Sequence, residues 1–294
     1  MSGLLKLLGP FPEKVQLRAE HVESVNCGKY TREEIRYNVE RDERISAYVL
    51  VPKNLSSPLP AVFCHHQHAG DYEIGKSEVA GLIGDLDQAY AMELAERGYI
   101  TFAPDAISFE SRKTGDSPQW SNLFELSARL IEGKTVMAKV IHDVQVAIDY
   151  MVSRSDVDSE RIGFIGHSYG GRMALWVPAF DNRIRVSVSN CGCSSYRYML
   201  NAGSGVQNEF CVPGILGWGD LEDVICLMKA TNLLILATNR DKWSLGAWAL
   251  YEKCKSRFSG GELELKVWDG PHQFTEEMRE YAYHFLDRHL GTGL

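Results

Sequence analysis

Apolar and polar residues alternate along 35–51 in two runs, split by the charged Glu40-Arg41-Asp42-Glu43. A period of two with a polar break predicts an antiparallel hairpin at an edge of a sheet. After it the pattern changes. Short continuous apolar runs at 61–64, 99–103, 161–165, 183–189, 233–237 and 263–268 read as strands buried on both faces. Between them, 84–97, 121–132, 135–154, 171–180, 245–258 and 275–290 carry apolar residues at helical spacing. Polar loops occupy 52–60 and 108–120. Strands alternating with helices predict an α/β fold: a mostly parallel central sheet, an antiparallel N-terminal hairpin, and helices on both faces. Residues 1–34 read as an N-terminal arm, helical or irregular. Residues 194–225 are rich in Gly, Tyr, Asn and Trp, with weak periodicity, and read as a small cap-like insertion over the carboxyl edge of the sheet. No repeat, low-complexity tract or shift in composition divides the chain, so 1–294 reads as a single domain.

Composition narrows the function classes. The 294 residues carry a net charge of −8 and no run of lysine and arginine, which argues against nucleic acid as a partner. The acidity is best read as solubility. Seven cysteines, an odd number and several in apolar runs, read as small buried thiols of a reducing, cytoplasmic compartment. Cys191-Gly-Cys193 lacks zinc-site spacing. The N-terminus does not resemble a secretory signal, and no apolar stretch is long enough to span a membrane.

The candidate chemistry centres on Gly166-His167-Ser168-Tyr169-Gly170, a G-x-S-x-G at the end of an apolar run and the start of a helical one. A plain glycine-rich strand-to-helix turn with an incidental serine is the alternative; the flanking strand and helix favour a nucleophile elbow. A serine hydroxyl needs a base, and the base needs an orienting carboxylate. In chain order Ser, acid, His, the acid is Asp241, just after the run 233–237, and the base is His272, in Asp269-Gly270-Pro271-His272 after 263–268. Asp241 as a helix cap is the alternative reading, and Asp269 is the competing acid. For the oxyanion, one donor is the backbone N–H of Tyr169; the other comes from His65-His66-Gln67-His68, with the N–H of His68 preferred and Gln67 next. The three histidines of that loop suggest a metal, but His65 and His66 should point to opposite faces, and no Cys or carboxylate is tied to them. No metal site is therefore predicted.

The motif and its context are similar to those of the α/β-hydrolase superfamily, and within it to the dienelactone hydrolase-like and acetyl-xylan-esterase-like branch. The matching stretches are 61–70, 75–81, 97–112, 157–171 and the two loops carrying Asp241 and His272. The resemblance implies a serine carboxyl-ester hydrolase with Ser168, Asp241 and His272 as triad, an acyl-enzyme, and no metal or organic cofactor. Two departures stand out: dienelactone hydrolase uses a cysteine where this chain has Ser168, and many relatives show His-Gly where this chain has His66-Gln67. Glu110 and Arg112 lie on a loop that lines the site or braces it; Arg112 suits a substrate carboxylate or a structural salt bridge. Gln67 and Trp218 complete the expected substrate contacts, and Tyr196, Tyr198 and Phe210 either wall the pocket or pack in the core. The expected function is an esterase or deacetylase acting on a small acyl ester. A peptidase or amidase on the same triad, and a non-catalytic ligand-binding protein, are the alternatives. The expected partner is that small-molecule ester, and the edge hairpin and arm are available for pairing with a second subunit.

Overall fold

The computed structural model describes residues 1–53, 58–114 and 117–291. The loops expected over 52–60 and 108–120 therefore fall partly outside the described residues. Nine strands form one sheet: β1 (Glu20–Asn26), β2 (Tyr30–Glu40), β3 (Glu43–Pro52), β4 (Leu59–His65), β5 (Ile100–Pro104), β6 (Val157–His167), β7 (Ile184–Asn190), β8 (Asn232–Thr238) and β9 (Leu263–Trp268). Their order is β1-β2-β3-β5-β4-β6-β7-β8-β9. The pairs β1/β2, β2/β3 and β3/β5 are antiparallel; β5/β4, β4/β6, β6/β7, β7/β8 and β8/β9 are parallel.

The continuous apolar runs form strands because both faces of the sheet are covered. Along β4, Ala61 and Phe63 enter one core with Phe102, Phe164, Ile141 and Trp176. Val62 and Cys64 enter the other with Ile165, Val186, Leu234 and Leu286. Phe63 and Phe164, opposite one another in register, stack with ring centroids 4.9 Å apart. Helices Val136–Ser153 and Tyr169–Trp176 supply the first layer, and Tyr90–Glu96 and Glu276–Leu290 the second.

Several expected elements differ. The arm is not merely helical or irregular: Ser2–Leu8 is a short helix, and Glu20–Asn26 is an edge strand. Only Val22 and Val25 are apolar in β1, so alternation could not reveal it; its main chain is held by the pairing to β2. The helix expected at 84–97 reduces to Tyr90–Glu96 behind a tight turn, Leu86–Gln88, capped by Asp85. The motif helix starts at Tyr169 and ends at Trp176 rather than spanning 171–180. Residues 194–225 hold the short helical pieces Tyr196–Asn201, Asn208–Phe210, Ile215–Trp218 and Leu221–Ile225. Among the described residues no helix is long and apolar enough to cross a membrane.

Strand register decides where the loops meet. His65 lies opposite Gly166, His167 opposite Asn190, Asn190 opposite Leu236, and Thr238 opposite Trp268. The residues that follow β4, β6, β7, β8 and β9 therefore emerge at one carboxyl rim.

Candidate active site

At that rim β6 passes into the helix Tyr169–Trp176 through Ser168, which holds φ 58° and ψ −110°. A non-glycine residue with positive φ is strained, and such strain is found where a side chain must be presented outward. The turn is pinned by its neighbours. The Ser168 N–H donates to the Asn190 carbonyl (2.8 Å), and the Ser168 carbonyl accepts from the Arg172 N–H (2.9 Å). Glycine is required on both sides of it by close approach. A Cβ on Gly170 would run into the His65 carbonyl oxygen, and one on Gly166 into the Gly170 carbonyl. As the first residue of the helix, Tyr169 has an N–H with no intrahelical acceptor, at the positive end of the helix dipole.

Ser168 lines a small cavity together with Arg172, Cys191, Gly192, Gln207, Phe210 and Trp243. Cys191 links this cavity to the other two loops. Its Sγ, the Asp241 carboxylate and a His272 ring nitrogen all lie within 4.8 Å of one another. Asp241 is buried. Its Oδ1 accepts from the Trp243 N–H (2.9 Å) and its Oδ2 from the Ser244 hydroxyl (2.7 Å), so it does cap the short turn Lys242–Ser244. It also stands 3.0 Å from His272 Nδ1 through Oδ2. That contact is within ion-pair reach but off the line of a well-aligned hydrogen bond. Burial by itself would raise the Asp241 carboxyl; His272, the Trp243 N–H and the Ser244 hydroxyl together hold it below the usual carboxylate range. Asp269, the competing acid, pairs instead with Arg240 (3.2 Å) in solvent.

The loop bearing His272 is fixed by three main-chain anchors: the Thr238 hydroxyl donates to the Pro271 carbonyl (2.8 Å), the Arg240 N–H to the Gly270 carbonyl (3.0 Å), and the Asn190 amide to the Gln273 carbonyl (3.0 Å). The His272 ring lies 4.5 Å from that of His167. Burial and then the adjacent His272 hold His167 well below the ordinary imidazole value, so it is neutral. Burial and Asp241 push the Cys191 thiol up to about 12, which leaves it protonated beside the serine.

The first loop is held as tightly. His66 Nε2 accepts from the Ala106 N–H (3.0 Å), so its proton resides on Nδ1 and donates to the Gln67 carbonyl (2.6 Å). Burial pushes His65 down to about 3. The His68 ring packs among Tyr72, Phe109 and Tyr169. Among the described residues, no acceptor pairs with the main-chain N–H of Gln67 or His68, and both remain available to an anion.

The expected substrate contacts fare differently. The Gln67 amide donates to both Glu78 oxygens (3.2 Å each), so its side chain is committed elsewhere. Glu110 is a brace: it accepts from Lys76 Nζ and Ser77 Oγ (both 2.6 Å) and from the N–H groups of Gly75 and Ser77 (both 3.0 Å). Arg112 is a brace as well, paired with Glu43 (2.5 Å) and Asp143 (2.8 Å). Trp218 packs beside Gly3 of the N-terminal helix rather than at the cavity. Of the insertion aromatics only Phe210 reaches the cavity wall; Tyr196 is buried behind it, its hydroxyl donating to the Phe210 carbonyl (2.9 Å). Sequence reasoning missed Arg172, Cys191, Gln207 and Trp243. For Arg172 a signal existed, since it lies four residues after Ser168 and so on the same helical face.

Residues 133–214 match the family model described as the prolyl oligopeptidase family. YtaP of Bacillus subtilis (strain 168), named as a hydrolase, is 35% identical over 198 residues, covering 67% of this chain and 64% of that protein. The carbohydrate esterase MZ0003, from an unknown prokaryotic organism, is 27% identical over 161 residues, covering 46% of this chain and 36% of its own. The chain thus spans less than two thirds of the length of either relative. Among solved structures, a glucuronoyl esterase from Solibacter usitatus superposes with a TM-score of 0.71 at 16% identity, covering 95% of this chain and 88% of that one.

Proposed function

The chain belongs to the α/β-hydrolase superfamily, and from that premise we propose that it is a serine carboxyl-ester hydrolase with Ser168 as nucleophile, His272 as general base and Asp241 as the carboxylate that orients the imidazole. What supports this reading is that one carboxyl rim carries both a serine on a positive-φ elbow and a half-buried His272 whose Nδ1 stands 3.0 Å from the buried Asp241 carboxylate. The likeness to a carbohydrate esterase over 46% of the chain supports an ester as the bond cleaved.

In the proposed cycle, His272 takes the Ser168 proton as Oγ attacks the ester carbonyl, and Asp241 stabilises the imidazolium that forms. The N–H of Tyr169 and one from Gln67 or His68 hold the oxyanion. The alcohol leaves with the proton from His272. Water, deprotonated by the same imidazole, then attacks the acyl-enzyme and releases the acid.

The test is Ser168→Ala against 4-nitrophenyl acetate, with a fluorophosphonate probe as a second readout. Turnover should fall at least about 10³-fold and labelling should vanish, with the melting temperature little changed. A variant that hydrolyses the ester at the parent rate would overturn the assignment. Matched esters and amides, assayed together, address the amidase alternative raised by the prolyl oligopeptidase match; the ester should be the faster substrate.

A further inference from the structure

Three arginines of this fold have deeply buried side chains, and two of them are compensated. Arg112 pairs with Glu43 and Asp143, and Arg279 with Asp87 and Glu93. Arg172 is 2% exposed, and among the described residues no carboxylate comes within ion-pair distance of it. The Asp220 carboxylate in its neighbourhood instead accepts from the N–H groups of Tyr196, Arg197 and Leu221. Arg172 Nη2 reaches only the Met199 sulfur (3.1 Å), a weak acceptor, and Nη1 is buried without any partner. The faces of Tyr196 and Phe210, with centroids 5.4 and 5.2 Å from Cζ, offer the cation partial compensation. An uncompensated buried cation is strongly unfavourable, and arginine does not relieve it by losing its proton.

Arg172 and Ser168 line the same small cavity. We propose that Arg172 is a specificity-determining anion site, and that the substrate is an ester bearing a carboxylate a few bonds from the scissile carbonyl. The inference rests on the serine-esterase reading above. A carboxylate suits the site because a planar fork of N–H donors pairs with it bidentately. Such a carboxylate would supply the ion partner that Arg172 lacks, and the pairing would be strongest where water is excluded.

Two matched pairs of substrates test this and distinguish where the carboxylate resides: 4-nitrophenyl hemiglutarate against 4-nitrophenyl valerate for the acyl side, and 3-carboxyphenyl acetate against phenyl acetate for the alcohol side, each corrected for spontaneous hydrolysis. The parent enzyme should favour the charged member of one pair by about tenfold or more in kcat/KM. Arg172→Gln should lower that ratio about tenfold, and Arg172→Lys, which keeps the charge but not the fork, by a smaller factor. A parent ratio below about tenfold in both pairs overturns the proposal, as does a ratio that Arg172→Gln leaves unchanged. Should Arg172→Gln fail to fold, an unaltered ratio in Arg172→Lys also overturns it. Binding of the same esters to Ser168→Ala, measured by calorimetry, separates the two readings. Tighter binding of the charged ester there supports the anion site whether or not Ser168 proves to be the nucleophile; equal binding overturns it.

Discussion

Replacing Asp241 by asparagine removes the charge and one acceptor while preserving shape. Asp241 accepts from two donors, the Trp243 N–H at 2.9 Å and the Ser244 hydroxyl at 2.7 Å, and stands 3.0 Å from His272 Nδ1. Its side chain is 1% exposed, so water cannot substitute. The amide NH₂ of asparagine must face at least one of those donors. Losing one or two hydrogen bonds to a buried charge should lower stability by about 2–5 kcal/mol, which a domain with about 5–15 kcal/mol survives. The kinetic effect should be larger relative to its background. Without the carboxylate, the imidazole is held in the wrong tautomer and the imidazolium loses its counter-charge, a loss of order 10⁴ in kcat, or about 5 kcal/mol of barrier. Asp269→Asn is the control. Its pair with Arg240 is 74% and 65% exposed, so that variant should match the parent within twofold in kcat/KM and in stability. The assay is kcat/KM for 4-nitrophenyl acetate with urea unfolding on the same samples. An Asp241→Asn enzyme within tenfold of the parent, or an Asp269→Asn enzyme as impaired as Asp241→Asn, would refute the assignment of the acid.

Acid should unfold the protein early. His65, His66 and His167 are held below their unfolded value of 6.5 chiefly by burial, so the unfolded chain binds their protons first. Their stabilisation is complete above about pH 6.5 and falls as pH drops below it, by up to about 1.4 kcal/mol per pH unit for each; urea titrations at pH 7, 6 and 5 should show the decline, and a flat series would contradict neutral buried imidazoles. Glu110→Gln should lower stability by about 2–4 kcal/mol through its bonds to Lys76 and Ser77, with KM changed less than threefold; a tenfold rise in KM at unchanged stability would make Glu110 a substrate contact after all.

Much of the sheet was legible because covering both faces imposes a simple pattern. β4 reads as uninterrupted apolar residues since Phe63 and Val62 enter opposite cores. β2 and β3 showed their alternation in 35–51. β1 did not, because almost nothing on its side chains is buried; it exists through main-chain bonds running from Glu20 opposite Arg36 to Asn26 opposite Thr31, helped by the exposed Arg44–Glu20 pair (2.9 Å). The motif helix was placed too late for a related reason. Gly170 argues against helix by intrinsic propensity, yet a side chain there would collide with the main chain of a neighbouring strand end at His65.

The site divides along the same line. Ser168, Asp241 and His272 stand out as candidates because each follows a recognisable strand end, and parallel register brings those ends to one rim. Which charged residues bind and which brace depends on partners far along the chain. Glu110 and Arg112 sit two residues apart on one turn; the first is saturated by Gly75, Lys76 and Ser77, the second by Glu43 and Asp143. Neither set of partners is implied by the local sequence. Arg172 inverts the case. Its position one turn beyond the serine was visible, but its meaning lies in the unpartnered Nη1 among the described residues, which only the assembled fold reveals. A buried guanidinium with two carboxylates, as in Arg112 and Arg279, is already neutralised and has no affinity left for a ligand anion; one held between two rings is not. The distinction between brace and binding site therefore follows from local charge balance, and it assigns the open cation to the cavity that the serine shares.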